Sequence, residues 1–300
     1  MSGPPLLPPH HGDGDGWVTC ELGHRHWGVH GAAGLLLAVP GDRRDRPVLL
    51  QHRASWTHHG GTWGMLGGAR RRAETAEQAA IREAAEEGGL DVTDAQVAGE
   101  YVDDHGGWAY TTVLATADST LPAAPTGPES ADVVWVPLAE VESRALHPGF
   151  AASWPVLRGE LDPVRVVVDA ANVVGSRPDG WWRDRAGAAT RLLARIGRLA
   201  ADGVHQEAVP VPTALHRLWP RWEVVLEGAA RAAEDPADGD ARVRVVRAEG
   251  YGDDTIAARS ASVEGSRTVV VTADRGLAER VRAQGASVTG PKWLLALLEE

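Results

Sequence analysis

Between Gly68 and Leu90 the chain places acidic residues at spacings that could do chemistry. It reads Gly68, five residues, Glu74, seven residues, then Arg82-Glu83-Ala84-Ala85-Glu86-Glu87-Gly88-Gly89-Leu90. Glu83, Glu86 and Glu87 stand at i, i+3 and i+4, so a helix through them gathers three carboxylates on one face. Like charges so placed repel, and a hard divalent cation turns that repulsion into coordination by oxygen ligands. Ala76, Ala80 and Ala84 lie on another face, small enough for close packing on a sheet. A charge run is ordinarily a solvated helix face. The fixed register of Gly68, Glu74, Arg82 and the closing Gly-Gly-Leu argues against that here.

The second half carries another set of acids. Asp169 ends the apolar run Val166-Val-Val and is followed by Asn172. Asp253 and Asp254 follow a strand-like segment and open a helix-like one, and Asp274 follows Thr268-Val-Val-Val-Thr272. Ligands of open α/β sheets bind at the carboxyl ends of the strands, so these acids are expected to form one cluster. Individually, Asp254 could cap a helix and Asp274 could be a turn residue. Asp184 and Glu227 are further acids with no pattern behind them.

Other polar clusters leave more open. Trp108 or Tyr110, in Asp103-Asp104-His105-Gly-Gly-Trp108-Ala-Tyr110, would either stack on a base or pack in the core. His58 and His59 could meet phosphate or stay exposed. Cys20, His24 and His26 could hold zinc, but they supply three ligands where a structural site takes four. Arg191, Arg195 and Arg198 form a basic stripe at i, i+4 and i+7. With Arg183 and Arg185 beside Trp181 and Trp182, the stripe reads either as a backbone-contacting, base-stacking surface or as a solvated face over packed rings.

These groups need elements to position them. Trp27–Pro40 and Pro47–His52 read as strands joined by the turn Gly41–Asp45, and a helix is expected over Thr75–Glu87, stopped by Gly88-Gly89. Gln96–Val102, Trp108–Ala115 and Val133–Val136 read as further strands, and Phe150–Leu157 as a short helix. The polar, proline-ended stretch Arg158–Pro163 marks a domain boundary. Beyond it, apolar strands at Val164–Val168, Trp222–Leu226, Val243–Arg247, Thr268–Val271 and Ala286–Val288 alternate with helices. The helices are expected at Arg185–Ala201, Asp254–Val263, Leu277–Gln284 and Trp293–Leu298. Such alternation predicts a parallel sheet covered on both faces.

At 300 residues the chain exceeds most single cores, which predicts two domains, 17–161 and 162–300, after a flexible tail at 1–16. Its 43% hydrophobic and 24% charged residues fit a globular protein, and no apolar run is long enough to span a bilayer. The tail lacks the charged start and apolar stretch of a signal peptide. The lone cysteine, Cys20, allows no intrachain disulfide, so a cytoplasmic location is expected. Residues 1–162 hold 11 basic and 22 acidic side chains, while 163–300 hold 19 of each. The acidic half suits divalent cations and disfavours nucleic acid, and polyanion contact in the second half would need a local patch.

The segment Gly68 to Leu90 resembles the Nudix family signature in full, and the likeness extends over most of residues 25–160. The resemblance implies an α/β/α sandwich with a mixed sheet and hydrolysis of a nucleoside diphosphate derivative by water attack on phosphorus. It further implies Mg²⁺ or Mn²⁺ held by Glu83 and Glu87, with Glu86 as a further ligand or water partner and Gly68 offering its carbonyl. Arg82 would fix a carboxylate, and Glu74 would support the set. Leu66 stands where many relatives have proline, and the general base is left between Glu129 and Asp132. The region is also similar to Nudix proteins that sanitise oxidised nucleotides. From about residue 164 to 298, Asp-x-x-Asn, Asp-Asp-x-Ile and Thr-x-Asp-Arg resemble PIN-like nucleases of the NYN and YacP-like branch. That likeness implies a Rossmann-like parallel α/β/α domain. Asp169, Asp253, Asp254 and Asp274 would hold Mg²⁺ or Mn²⁺ with Asn172 in support, for cleavage of RNA. A non-catalytic nucleotide- or RNA-binding module is the alternative.

Overall fold

A computed structural model describes residues 12–41, 45–177, 180–236, 241–261 and 267–299. The chain divides into two compact units, Met1–Leu161 and Asp162–Glu300.

The first unit is built on a mixed sheet. Its strands are β1 (Trp17–Thr19), β2 (Arg25–Trp27), β3 (Ala32–Ala38), β4 (Pro47–Arg53), β5 (Trp63–Gly64), β6 (Leu66–Ala69), β7 (Gln96–Asp104), β8 (Ala109–Thr116) and β9 (Ser130–Pro137). The order β7-β8-β3-β4-β5 runs along the sheet, with β6 also on β3 and β9 on β4. β3 and β8 are parallel, whereas β3–β6, β4–β9 and β7–β8 are antiparallel. β1 and β2 form a separate hairpin. Helix α1 (Ala76–Gly88) packs Ala76, Ala79, Ala80 and Ala84 against Ala33, Leu35, Leu37, Leu66 and Val113. The small side chains let its axis approach the sheet closely, and lengthening them would overpack the interface.

Both ends of α1 are fixed. Thr75 and Gln78 form a reciprocal capping box at the start. At the other end Gly89 takes φ 60°, a left-handed turn that glycine adopts without penalty. The loop beyond Leu121 supplies donors to the last carbonyls. Ala124 N–H donates to Gly88 O (3.1 Å), Thr126 N–H to Glu87 O (3.1 Å) and Thr126 Oγ1 to Glu86 O (2.5 Å). Helix α2 (Pro148–Glu160) closes the unit with Phe150, Trp154 and Leu157 buried.

The second unit holds a five-stranded parallel sheet of β10 (Arg165–Asp169), β13 (Arg221–Leu226), β14 (Val243–Arg247), β15 (Thr268–Val271) and β16 (Ser287–Thr289), after the short antiparallel pair β11 (Val204–His205) and β12 (Arg217–Leu218). The order is β14-β13-β10-β15-β16. The first strand is thus central, with successive strands added on one side and then the other, which puts a topological switch point between β10 and β15. Val166, Val167 and Val168 are all buried, so both faces are covered. The helices are α3 (Ala170–Gly175), α4 (Arg185–Asp202), α5 (Gly252–Ser260), α6 (Arg275–Ala283) and α7 (Pro291–Leu297). α5 and α6 bury Ile256, Ala257, Leu277 and Val281 against Val167, Val225 and Val270.

Three sequence expectations change. The single strand over Trp27–Pro40 is broken, because Gly28 (φ 103°) and Gly31 (φ 84°) turn the chain between β2 and β3. The tail expected at 1–16 is in part ordered. Gly14 O accepts from Val29 N–H and Asp13 accepts from Arg72 N–H, while Met1–His11 lie outside the described residues. Helix α5 starts two residues earlier than expected and ends at Ser260, and positions 262–263 lie outside the described residues. The turn expected at Gly41–Asp45 and the acidic loop expected at Glu234–Asp240 also fall partly outside them. No helix among the described residues is long and apolar enough to cross a membrane.

Candidate functional site

Arg82 is the hub of the acidic helix. Its Nε and Nη2 donate to both oxygens of Glu74 (2.7 and 3.0 Å), and Nη2 also donates to Ala69 O (2.9 Å). Its Nη1 donates to Glu83 Oε1 (2.6 Å) and Glu86 Oε2 (3.0 Å). The fork holds Glu74 below the ordinary carboxylate range and raises Arg82 still further above neutrality. Glu83 is instead raised, because burial outweighs its bond to Arg82 while Glu86 and Glu129 add like charge. Glu87 is pushed up to about 8, first by burial and then by Glu83.

Strand β6 meets these carboxylates edge on. Glu87 Oε2 accepts from Gly67 N–H at 3.0 Å. A Cβ on Gly68 would lie 2.6 Å from Glu83 Oε1, so only glycine lets that strand approach the carboxylate so closely. From β4, fully buried Gln51 donates through Nε2 to Ser130 Oγ (2.7 Å), and its Oε1 has no hydrogen-bond partner among the described residues. The cluster therefore joins two partly buried carboxylates with raised proton affinity, an orphaned amide oxygen and a close backbone. All the donors are hard oxygens, the set that suits Mg²⁺ or Mn²⁺.

The remaining expectations separate. Glu86 is half-exposed and turned toward Arg71 (3.5 Å) as well as Arg82, apart from the partly buried pair. Glu129 faces Glu83 electrostatically, whereas Asp132 is exposed and accepts from its neighbour Val133 N–H. Tyr110 does not stand free to stack on a base. Its hydroxyl fills the space a Cβ on Gly34 or Gly67 would need, beside Glu87, and burial raises its proton affinity. Trp108 is committed too, donating Nε1–H to Gly28 O (2.9 Å) and stacking at 3.9 Å on His26. Both readings as base-stacking residues are therefore corrected.

Sequence reasoning passed over Gln51, Arg53 and His147. Arg53 acts on Glu87, His58 and His147 together, so one guanidinium borders the carboxylates and lowers the proton affinity of both histidines. Burial and Arg53 push His147 down to about 4. The one sequence signal was a run of polar residues, Gln51-His52-Arg53, ending the apolar strand Val48-Leu49-Leu50.

In the second unit, the ends of β10, β13 and β15 converge. Asp169 Oδ2 accepts from Thr272 Oγ1 (2.9 Å), and Thr272 Oγ1 accepts from Asp274 N–H (3.1 Å). Asn172 Oδ1 accepts from Ala273 N–H (3.0 Å), tying α3 to the same strand end. Burial raises the Asp169 carboxyl, with Asp253 and Glu227 adding to it. Asp253 is raised by desolvation and then by Asp274, Glu227 and Asp254. Asp254 itself turns outward to Arg280 Nη1 (2.6 Å), and Glu227 takes its place in the group, its Oε2 accepting from Gly252 N–H (2.9 Å). Glu227 follows an apolar strand just as Asp169 does, the same signal left unused. Asp274 also caps α6 through Leu277 N–H. Arg195 is drawn away from the expected basic stripe to Leu298 O (2.6 Å), while Arg191 is exposed and 4.0 Å from Asp184. A cleft of about 410 Å³ beside Glu227 is lined by Trp181, Arg185 and Tyr251.

A mixed sheet, a capped helix of carboxylates and a glycine strand laid against it form one loop–helix–loop site. Residues 29–158 match the family model of the NUDIX domain. A Mycobacterium tuberculosis protein named "Putative 8-oxo-dGTP diphosphatase 3" is 52% identical over 156 residues, 49% of this chain and 70% of that protein. The chain belongs to the Nudix family and is an enzyme of its nucleotide pyrophosphohydrolase type. A Bifidobacterium longum "Nucleoside triphosphate pyrophosphatase/Nudix hydrolase fusion protein" is 42% identical over 164 residues, 52% of this chain and 34% of that one. The crystal structure of a Nudix hydrolase from M. smegmatis, RenU, is 50% identical over 48% of this chain and 93% of its own, with a TM-score of 0.46.

Proposed function

We propose that the first unit hydrolyses the phosphoanhydride of a nucleoside diphosphate derivative, with an oxidised nucleoside triphosphate as leading substrate. The carrying observation is the partly buried Glu83–Glu87 pair, raised in proton affinity beside Gly67 and Gly68. Glu83, Glu87 and the Gly68 carbonyl would hold Mg²⁺ or Mn²⁺, and Glu86 would reach it only by leaving Arg71. Such an ion neutralises diphosphate oxygens and acidifies a bound water. Arg82 keeps Glu83 in place. Glu129, facing Glu83, is the better-placed of the two candidate bases. It accepts the proton of the attacking water as the new P–O bond forms and the bridging P–O bond breaks. Arg53 borders Glu87 where phosphate oxygens would lie, with His58 beside Arg53. The name of the mycobacterial relative favours 8-oxo-dGTP, and a cytoplasmic location fits a nucleotide substrate. The test is a panel of nucleoside triphosphates and diphosphate derivatives, 8-oxo-dGTP included, assayed with Mg²⁺ or Mn²⁺ on the parent and on Glu87→Gln. Metal-dependent turnover lost in the variant supports the reading, and equal rates for both chains overturn it.

For the second unit we infer a PIN-like, metal-dependent ribonuclease domain. The convergence of Asp169, Glu227, Asp253 and Asp274 favours it, since a binding module has no need to gather acids at one switch point. The adjoining cleft with Trp181, Arg185 and Tyr251 suits a stacked base and its phosphate. RNA cleavage by the parent but not by Asp169→Asn supports the nuclease, and RNA binding without cleavage supports the module instead.

A further inference from the structure

We propose that Cys20, His24, His26 and His105 form a four-ligand Zn²⁺ site that clips the β1–β2 hairpin to the turn between β7 and β8. The ligand atoms of all four residues lie within 4.8 Å of one another. A tetrahedral zinc with imidazole and thiolate ligands places its donors about 3.3–3.8 Å apart. Closing that difference takes only small side-chain rotations. The histidine rings are inclined rather than stacked, by 67° to 75°, with centroids 4.6 to 6.2 Å apart.

Two further observations point to an ion there. His26 Nε2 and His105 Nδ1 are both buried without a hydrogen-bond partner among the described residues. A buried polar atom left without a partner is destabilising unless something coordinates it. The opposite nitrogen of His105, Nε2, lies 3.2 Å from Asp103 Oδ2. That pairing leaves the Nδ1 lone pair facing the cluster, the arrangement by which a carboxylate orients a metal-binding histidine. Trp108 fixes the plane of His26 by stacking on it. The backbone holds the loops ready, with Cys20 N–H donating to His24 O (3.0 Å) and Glu21 N–H to Gly106 O (2.9 Å).

The donor set selects the ion. One thiolate and three imidazoles suit Zn²⁺ and reject Mg²⁺, which prefers oxygen. Four protein ligands close the coordination shell, so the ion is structural and leaves no position for water chemistry. Three of the ligands precede residue 29, where the family match begins. Sequence alone gave three ligands, and the fourth, His105, is brought in by the fold from 79 residues beyond His26.

The experiment uses the full chain, stripped with chelator and titrated with Co²⁺ in the presence of excess Mg²⁺ to fill the carboxylate sites. Cys20 is the only cysteine, so thiolate-to-cobalt charge-transfer absorption reports this site alone. We expect the band and intense visible ligand-field bands to saturate at one equivalent, and Zn²⁺ to displace them. Cys20→Ser should lose the charge-transfer band. His105→Ala and exposed His24→Ala should shift the ligand-field bands and weaken zinc retention more than tenfold. Asp103→Asn, a positioning change, should weaken it roughly 10–100-fold with the spectrum kept. Zn²⁺ should raise the melting temperature of the parent and leave that of Cys20→Ser unmoved. A folded parent without charge-transfer absorption overturns the proposal, as does a parent-like spectrum in both His24→Ala and His105→Ala.

Discussion

At the scale of single residues, the first unit sets two carboxylates of opposite character side by side. Arg82 holds the Glu74 carboxyl below its ordinary range, whereas burial and then Glu83 push Glu87 up to about 8. Replacing Glu87 with Gln keeps shape and removes the carboxylate proposed to hold the ion, so hydrolysis should fall by roughly a hundredfold or more, the scale of a lost electrostatic element. Steady-state rates on the preferred substrate decide this. Glu87 also gives the metal-free chain a pH dependence. A carboxyl near 4.5 when unfolded and at about 8 when folded binds more protons in the native state. The stability it contributes is therefore complete below about pH 4.5 and is lost as pH rises toward 8. Melts of metal-free protein should show that decline, reduced by Mg²⁺ and flattened in Glu87→Gln. Arg82→Ala acts differently, leaving Glu74 and Glu83 without their partner at side-chain exposures of only 16% and 14%. It should destabilise the chain by roughly 3–5 kcal/mol, read by denaturant unfolding.

At the scale of elements, α1 is positioned by its ends as much as by its alanine face. Thr75→Ala removes one half of the capping box and should cost about 1 kcal/mol, with kcat unchanged once the protein is folded. A fall in kcat without a fall in stability would show that the cap tunes the site instead. This helix was legible in the sequence because cap, periodicity and glycine stop are all local. The second unit's strands were legible for the same reason, each being a short apolar run between turn signals. The break between β2 and β3 was not, because two left-handed glycines inside an apolar stretch look like part of a strand. The acid clusters were legible as strand ends, but Asp254 and Glu227 were exchanged. Which of two neighbouring acids faces inward depends on where Arg280 lies, a contact across 26 residues. For Trp108 and Tyr110 the choice between base stacking and packing was not legible for a related reason, since their partners Gly28 and Gly34 are more than 70 residues away.

At the scale of the whole molecule, each unit has its own core, one of residues between Ala33 and Val133 and one between Val167 and Ala286. A fragment ending near Leu161 should therefore fold and keep diphosphate hydrolysis, with a near-UV spectrum of fixed tertiary packing. An insoluble or molten fragment would contradict this. In the full chain, Asp274→Asn keeps a good helix cap while removing one charge from the acid cluster. The metal-free second unit should melt at the same temperature or higher, and Mn²⁺ should stabilise it less than the parent. A lower metal-free melting temperature with an intact Mn²⁺ response would mark Asp274 as structural.

The loop that covers the carbonyl end of α1 also carries Glu129, whose own carbonyl accepts from Ala54 N–H at 2.8 Å. Glu129, the base proposed above, thus sits on a loop joined to the carboxylate helix through Ala124 and Thr126 and to the end of β4 through Ala54. Displacing either would break several of these bonds at once. The turn that holds His59 at φ 55° and Gly61 at φ 77° is tied to the same strand end, through Thr57 N–H to Ala54 O (3.0 Å) and Gly61 N–H to Arg53 O (2.9 Å), so a strain set at that turn is carried to Glu129 through a single residue, Ala54.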